Sequence, residues 1–256
     1  MFDYALFKQI LNKKKAYKCY QKDSFIKDEL ATRLIDKLTF LNIKPRLIYL
    51  EGPLNQTHQK MLLSLYPSAK ITTVLNEAVD LIISNATLHL AHNIYECIET
   101  YQQFLAPDGV LLFSTFGSLT LQEVKKAWEE IDSSPHINAM LDMHDIGDIL
   151  LKSNLINPVM DSEVLTLTYD SLAVLFQDIR ELQEPLSDTK MSKGLMGKRR
   201  WQAFCHELQN LGLLMSYEFV YGYAYQSTAA LGKPKEDEVC IDLMAIKRML
   251  NGSNKQ

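Results

Sequence analysis

Polar side chains directly follow three predicted strands in the first third of the chain. Glu51 and Gly52 follow the apolar run "LIYL", Glu77 lies shortly after "KITTVL", and Asn85 ends "AVDLIISN". In doubly wound folds, ligands bind in the crevice outside the carboxyl ends of the strands, often against a glycine-rich turn. Because Gly52 is the only glycine in "LIYLEGPLNQTHQK", this segment indicates either a cofactor-cradling loop or the remains of one.

The histidines and cysteines of the chain do not form a recognisable metal site. His89 and His92 are close enough in sequence to suggest a pair of metal ligands, but no carboxylate or third ligand is spaced to join them. We therefore interpret them as surface histidines or as histidines with structural hydrogen bonds, and we expect no metal. The four cysteines are widely separated and include no CxxC pair, which indicates a reducing compartment.

The composition argues against two classes of partner. The 256 residues carry a net charge of -4 from 27 basic and 31 acidic side chains, without a long block of one sign, which does not favour nucleic-acid binding. No apolar run approaches the roughly 18 residues that span a bilayer, and the N-terminal charges follow the apolar residues, unlike those of a secretory signal. A globular, cytoplasmic protein is therefore expected, with neither nucleic acid nor membrane as a partner.

The elements that must position these side chains alternate along the first half of the chain. An amphipathic helix within 23–43 leads into apolar strands that are separated by short links or helices, a pattern typical of an α/β doubly wound sheet. After Gly117, helical patterns dominate. The predicted strands are 46–50, 70–75, 78–85, 110–116, 163–170 and 214–225.

Several longer segments are distinctive enough to suggest a family. The segments "FSTFGSLTLQEVKKAWEEIDSSPHINAMLDMHDI", "GLMGKRRWQAF" and "SYEFVYGYAY" resemble the malonyl-acyl carrier protein O-methyltransferases of biotin synthesis, the BioC family. The strands from "LIYL" to "LAPDGVLLFSTFG" resemble those of class I methyltransferases that use S-adenosylmethionine (SAM). The segment "YQKDSFIKDELATRLIDKL" resembles the family's entry helix, with Tyr20 at its usual tyrosine. The resemblance extends to about Tyr225.

This resemblance implies a Rossmann-like class I methyltransferase sheet in one domain over 1–231. It also implies a helical insertion at about 118–210 before the last, antiparallel strand, and we expect a partly flexible tail at 232–256. The segment "LNEAVDLIISN" passes almost directly from the family's second strand to its fourth, so about 25 to 30 residues of a normal βαβ repeat are missing. We therefore expect the sheet to lack edge strand 3, whose loss leaves the other layers packed.

Members of the family use SAM to methylate the free carboxyl of a malonyl group that acyl carrier protein holds. Their first strand ends in an acidic residue followed by glycines. Here the best register places Tyr49 at the acid and Glu51, Pro53 and Asn55 at the glycines, and a shift of one residue does not restore the loop. Leu75 occupies the place of the carboxylate that binds the ribose.

The resemblance implies a remnant cofactor site, formed by Tyr20, Glu51, Gly52, Glu77 and Asn85. Because the glycine turn, the ribose carboxylate and the adenine wall are altered, we expect SAM binding and methyl transfer to be weak or lost. Methyl transfer in this class depends on holding the methyl group in line with the attacking oxygen. The resemblance therefore implies no dedicated catalytic residue.

The resemblance also assigns residues to the substrate or to the carrier protein: His136, Arg180, Lys198, Arg199 and Arg200. Asp178, Ile179 and Arg180 match the start of the family's "DLRGIGATN" segment, but bulkier side chains replace its small residues at 181 and 183–185. His136 has a structural hydrogen bond as its alternative role. For Lys198, Arg199 and Arg200, together with Lys193, the alternative is the solvated start of a helix.

Two other functions stay open at this point. The chain is either a noncatalytic module that binds acyl carrier protein or an enzyme partner, or an active methyltransferase with an unconventional SAM site. In the second case, Glu51, Glu77 and Asn85, or a partner subunit, would complete the site. A more distant alternative is a methyltransferase-like factor for respiratory-complex assembly.

Overall fold

The computed structural model describes residues 3–14, 24–192 and 194–227. Within these residues, eight α-helices and six strands form an α/β structure. The helices are α1 (Tyr4–Lys14), α2 (Phe25–Asp36), α3 (Gln56–Leu65), α4 (Ile94–Phe104), α5 (Gln122–Glu129), α6 (Met143–Lys152), α7 (Leu172–Glu181) and α8 (Lys198–Asn210). The strands are β1 (Leu47–Glu51), β2 (Lys70–Thr72), β3 (Val79–Asn85), β4 (Leu105–Phe116), β5 (Leu155–Thr168) and β6 (Leu214–Gln226).

The strands form one sheet in the order β2-β1-β3-β4-β6-β5. β2, β1, β3 and β4 are parallel to their neighbours, and β6 is antiparallel to both β4 and β5. The link between β2 and β3, residues 73–78, is too short for a helix and a strand. The prediction of a Rossmann-like class I methyltransferase sheet without its third strand is therefore confirmed.

The sheet lies between two layers of helices. Along β3, Leu81 and Ile83 belong to an apolar cluster that includes Leu30 of α2, whereas the intervening Ile82 belongs to a second cluster with Ile98 of α4. This alternation follows from the two-residue period of a strand. Because both faces of β3 are covered, its sequence is a nearly continuous apolar run.

The segment predicted as a helical insertion also supplies the outermost strand of the sheet. Helices α5, α6, α7 and α8 lie within 118–210, but β5 separates them into two pairs. β5 begins eight residues before the predicted start, Glu163. The earlier half was missed because Asn157 has a φ of +51° and the pairing register shifts between Ile156 and Val159, which breaks the alternating pattern.

The second strand is shorter than its β-branched sequence predicted. β2 ends at Thr72, where the Thr72 hydroxyl donates to the carbonyl of Val74 and accepts from its amide, both at 3.1 Å. Such a side-chain turn competes with continued strand pairing. The predicted continuation to Leu75 is therefore replaced by a turn.

Some predictions concern residues outside the described part of the chain. They include the assignment of Tyr20 to the cofactor site, the basic residue Lys193 and the tail at 232–256. The single-domain boundary at 231 stays a prediction. None of the helices in the described part combines the length and the apolar character needed to cross a bilayer.

Candidate functional site

The loop after β1 packs directly against the end of β3. The strands are parallel neighbours, with Glu51 opposite Ser84. Gly52 has a φ of +88°, and a Cβ at this position would lie 2.0 Å from the Asn85 carbonyl oxygen. Glycine is the residue that tolerates both this conformation and this close approach. The crossover between β1 and β3 is where a doubly wound fold opens a ligand crevice, and here Gly52 packs against the end of β3 at that point.

The Asn85 side chain is committed to structural hydrogen bonds. It is fully buried, and its amide nitrogen donates to the carbonyl oxygens of Pro53 at 2.8 Å and Lys27 at 3.3 Å. Its amide oxygen accepts from the Ser114 hydroxyl at 2.6 Å. Asn85 therefore joins the β1 loop, α2 and β4, and both of its donor protons have protein partners.

Glu51 is engaged with α4. The Tyr101 hydroxyl donates to the Glu51 carboxylate, and the same hydroxyl lies 3.2 Å from that of Ser84. Burial, followed by the nearby charges of Cys97 and Glu51, raises the pKa of Tyr101 far above its ordinary value. Tyr101 therefore stays protonated and serves as a stable donor to Glu51.

Glu77 lies near the amino end of β3, whereas Asn85 lies at its carboxyl end. It is exposed in the link before β3 and precedes Val79, the first residue of that strand. Asn85 is the last residue of the same seven-residue strand. At about 3.3 Å per residue, the ends of β3 are roughly 20 Å apart. The structure therefore does not bring Glu51, Glu77 and Asn85 together.

The loop after β1 departs from a glycine-rich cofactor turn. Pro53 and Asn55 occupy positions where the resemblance implies glycines, and Gly52 packs against the Asn85 carbonyl. A ligand that displaced Asn85 would leave its buried hydrogen-bond donors without partners.

A buried ion-paired cluster lies next to this loop, and its Lys27 also accepts a hydrogen bond from Asn85 through the backbone carbonyl. Glu184 Oε1 is 2.8 Å from Lys27 Nζ and 2.9 Å from His89 Nε2. His89 Nδ1 is 3.0 Å from the Thr115 hydroxyl. The side chains of Lys27, His89 and Glu184 are only 11%, 4% and 7% exposed. Two separate segments thus converge on one carboxylate oxygen, and Thr115 contacts His89 from a third.

The local structure explains how each member of the cluster is positioned. Ser24 caps α2 by accepting from the Lys27 amide, which places Lys27 in the first turn. His89 lies in a short 3-10 helix after β3. Gln183 adopts a φ of +57° after α7, and Glu184 is the next residue. A left-handed residue after a helix redirects the chain.

The electrostatics of Glu184 favour the carboxylate. Burial by itself would raise the pKa of Glu184, but the charges of His89 and Lys27 and their hydrogen bonds outweigh it and lower this pKa to about 2. Opposite charges nearby favour the charged form of a buried acid. Glu184 is therefore ionised throughout the neutral range.

Two adjoining cavities lie beyond the end of β4. The outer cavity has a volume of about 460 Å³ and includes Trp128, Asp132 and Lys190 in its wall. The inner cavity is about 90 Å³, mostly apolar, and reaches Glu184. They share five lining residues: Thr120, His136, Ile137, Asn138 and Met140. This arrangement offers a polar outer space and a small inner space that ends at the buried cluster.

His136 both lines these cavities and makes structural contacts. Its ring stacks on Trp128, with centroids 3.8 Å apart and planes inclined by 8°. Its Nε2 lies 3.0 Å from Asp132 Oδ1. Burial lowers the pKa of His136. The two roles considered from sequence are therefore compatible, because one ring edge meets Asp132 while the residue borders the cavity.

The basic residues assigned to carrier binding do not form one uniform patch. Arg200 pairs with Asp132, whereas Lys198 and Arg199 are exposed in the first turn of α8. Arg180 is exposed near the end of α7. The first turn of α8 has no acidic side chain. Its positive side chains lie at the positive end of the helix dipole, which is unfavourable.

Sequence reasoning identified the residue changes but missed the cluster they form. Glu184 was recognised only as a bulky replacement, His89 only as a poor metal ligand, and Lys27 was not singled out. These residues are separated by 62 and 95 positions along the chain. Among the described residues, no three His, Cys, Asp or Glu side chains are grouped to hold a metal ion, and His92 is exposed.

Comparison with known proteins confirms the resemblance read from the sequence. A malonyl-acyl carrier protein O-methyltransferase of Gallionella capsiferriformans is 33% identical over 153 residues, which are 58% of this chain and 53% of the relative. The Coxiella burnetii protein named malonyl-acyl carrier protein O-methyltransferase 1 is 28% identical over 240 residues. These residues are 82% of this chain and 84% of the relative. The chain spans about half the length of the first curated relatives it matches.

Comparisons with family models and solved structures give less detail. No family model matches the chain. The YcgJ protein from Bacillus subtilis covers 78% of this chain and 98% of its own at 8% identity, with a TM-score of 0.45. The fold is therefore assigned from the strand order of the sheet and the connections between its strands.

Proposed function

We propose that this chain, a relative in sequence of malonyl-acyl carrier protein O-methyltransferases, recognises acyl carrier protein without transferring a methyl group. The observation that supports the proposal is the packing of the altered loop after β1, in which Gly52 lies against the Asn85 carbonyl and Asn85 bonds to Pro53. In this proposal, the methyltransferase scaffold is retained while the loop no longer serves a cofactor. The protein then acts through a binding surface.

The hydrogen bonds of Asn85 oppose cofactor binding at this loop. A cofactor in the crevice would displace its buried hydrogen bonds to Pro53, Lys27 and Ser114. At about 1 kcal/mol each, their loss amounts to roughly 3 kcal/mol, or about 150-fold in affinity. A site with a Kd of about 1 μM would thus have a Kd of about 150 μM, before any cost of separating the backbone at Gly52.

Isothermal titration with SAM and with its demethylated product tests the absence of a cofactor site. We expect no binding heat from this chain under conditions where the Coxiella burnetii relative binds. The relative serves as the positive control for the ligand and the buffer. Low-micromolar binding of either compound to this chain would overturn the proposal and favour an unconventional SAM site.

The surface around the start of α8 supports recognition of an acidic partner. Lys198 and Arg199 are exposed, and Leu195, Met196 and Trp201 beside them are 101%, 43% and 42% exposed. Acyl carrier protein, which appears in the names of the relatives, would contact this surface through an acidic face, as the family resemblance implies. Exposed charges steer association and contribute about 0.2 to 1 kcal/mol per ion pair. Arg200 pairs with Asp132, so the test below leaves it unchanged.

A double substitution separates this surface from the general effect of charge. Lys198→Ala with Arg199→Ala should weaken binding of labelled malonyl-acyl carrier protein by about 2- to 30-fold, with a smaller effect at higher salt. Lys70→Ala with Lys152→Ala removes the same charge from exposed positions on β2 and α6 and should leave affinity nearly unchanged. Absence of binding by the unsubstituted protein, or equal losses in both variants, would contradict carrier recognition.

A further inference from the structure

The last residues of β6 and their partners on β5 form an apolar surface. Tyr223 pairs with Val159 and Tyr225 pairs with Ile156, so the four side chains lie on one side of the sheet. The tyrosine rings meet edge to face with centroids 6.0 Å apart and are half-buried. Ile156 and Val159 are 43% and 42% exposed. This part of the sheet thus lacks a complete cover among the described residues.

The helix layer ends before it reaches these tyrosines. Lys37, directly after α2, lies with its Nζ 4.2 Å from the ring centroid of Tyr221. Tyr223 and Tyr225 follow on the same side of β6, because side chains alternate along a strand. Phe40 is three residues after Lys37 in a 3-10 helix, where such residues eclipse, and it is 86% exposed. We call this surface the tyrosine face; it consists of Phe40, Ile156, Val159, Tyr223 and Tyr225.

Gln226 ends β6 at the border of the tyrosine face. Its Nε2 donates to the Gln102 carbonyl at 3.0 Å. Its Oε1 is buried and, within the described part of the chain, has no hydrogen-bond partner. A buried acceptor without a donor is destabilising. An additional donor is therefore expected next to the tyrosine face.

The sequence that follows Ser227 contains a suitable occupant. Residues 228–256 include the apolar run "VCIDLMAI" at 239–246, preceded by "GKPKEDE". Glycine and proline favour a turn in the chain. Thirteen residue steps separate Ser227 from Cys240, and they span at most about 45 Å. This reach is sufficient for the run to return to the end of β6.

We infer that residues 239–246 pack against the tyrosine face of their own chain. Contact between the two apolar surfaces removes both from water, and the run brings backbone N–H groups close to Gln226 Oε1. The linker gives the run an effective concentration on the order of millimolar, far above that of a second copy in a micromolar solution. The inference is independent of the proposed function, because it concerns neither carrier recognition nor SAM binding.

Disulfide trapping in the full-length protein tests this contact. Cys240 is the second residue of the run, and Val159→Cys adds a thiol to the tyrosine face. Diamide should oxidise this pair to a disulfide within one chain at least about 10-fold faster than in either of two controls. Val164→Cys lies on the opposite side of β5, because an odd number of residues separates the two positions. Asn154→Cys is exposed beside the point where β5 pairs with Gln226, so it measures mere proximity to the end of β6.

Substitutions in the run separate docking from random contact. Leu243→Asp, combined with Val159→Cys, should slow formation of the disulfide by about 10-fold or more, because it places a charge in the apolar contact. Asn251→Asp adds the same charge outside the run and should leave the rate unchanged. Peptide mapping identifies the joined cysteines. Similar rates for the three introduced thiols, no effect of Leu243→Asp, or disulfides only between two copies would each overturn the inference.

Discussion

Gln183 and Glu184 show how two adjacent residues change the interior of a cleft. The resembling family has small residues at these positions, and Gln183 retains a glycine-like φ of +57°. This conformation costs a residue with a side chain on the order of 1 kcal/mol. The turn directs Glu184 inward, where Lys27 and His89 compensate its charge. Where the resemblance implies small residues, this chain thus has a buried ion-paired carboxylate.

The titration of Glu184 predicts a specific loss of stability in acid. Its folded pKa is lowered from 4.5 to about 2, so its stabilising contribution is fully present above pH 4.5 and is lost as the pH falls toward 2. The contribution is about 3 kcal/mol at neutral pH. Glu184→Gln should therefore reduce the difference in the free energy of unfolding between pH 5 and pH 2 by about this amount.

Urea denaturation across this pH range provides the measurement. Glu77→Gln is the matched control, because it removes a carboxylate that is exposed. We expect this control to follow the pH curve of the unsubstituted protein. Parallel curves for Glu184→Gln and the unsubstituted protein would show that Glu184 is not ion-paired in the folded state.

The loop between β1 and α3 shows that an altered cofactor loop has become a structural element. Asn55 Oδ1 accepts from the amides of Thr57 and His58 at 2.9 and 3.2 Å, and His58 Nδ1 accepts from the Asn55 amide at 3.1 Å. This reciprocal pair is a capping box that stabilises the start of α3. A residue aligned with a family glycine thus supports helix formation here.

Gly52 is predicted to be the least replaceable residue of this loop. Gly52→Ala combines an unfavourable φ of +88° with a Cβ 2.0 Å from the Asn85 carbonyl oxygen. We expect a loss of about 2 to 5 kcal/mol in the free energy of unfolding, measured by urea denaturation. A loss below about 1 kcal/mol would show that the loop does not pack against β3 in this way.

Gly147 on α6 provides a matched glycine with the opposite expectation. Its nearest atom to an added Cβ is Met160 Cγ at 3.6 Å, which is ordinary contact. Gly147→Ala should stabilise the protein by up to about 1 kcal/mol, because alanine favours a helix interior. The two alanine variants together separate backbone constraint from a general effect of the added methyl group.

At the scale of the whole molecule, two cavities among the described residues lie beyond β4, where they are bordered by Trp128, His136 and Glu184. The loop after β1, in contrast, packs against the end of β3. The exposed start of α8 adds Lys198 and Arg199. This distribution is consistent with the proposed shift from cofactor chemistry to binding.

Hydrogen exchange should reflect the shortened sheet. β2 has three residues and lies at the edge, whereas β3 has neighbours on both sides and buried side chains along most of its length. We expect the amides of β3 to exchange at least about 10²-fold more slowly than those of β2, because edge residues exchange through local opening. Equal protection in both strands would indicate an additional strand or partner covering β2.

The sequence by itself determined the class of sheet, the missing strand and the resemblance to malonyl-acyl carrier protein methyltransferases. Apolar runs and chain length are local properties, so "LNEAVDLIISN" was sufficient to exclude a further helix and strand between β2 and β3. The same local patterns missed the first half of β5, where Asn157 interrupts the alternation. The loss of the glycine turn was visible in the sequence, but the packing of the altered loop against β3 was not.

The tertiary structure alone decided which polar atoms became partners. Asn85 bonds to Pro53 and Ser114, Arg200 pairs with Asp132, and Glu184 meets Lys27 and His89 across 157 and 95 positions of the chain. Hydrogen bonds and ion pairs require atoms to converge within about 3 Å. Periodicity places a residue on an element but does not state which distant side chain it meets. For that reason, the altered cofactor loop could be read from the sequence, whereas the buried carboxylate site emerged only when its elements were packed together.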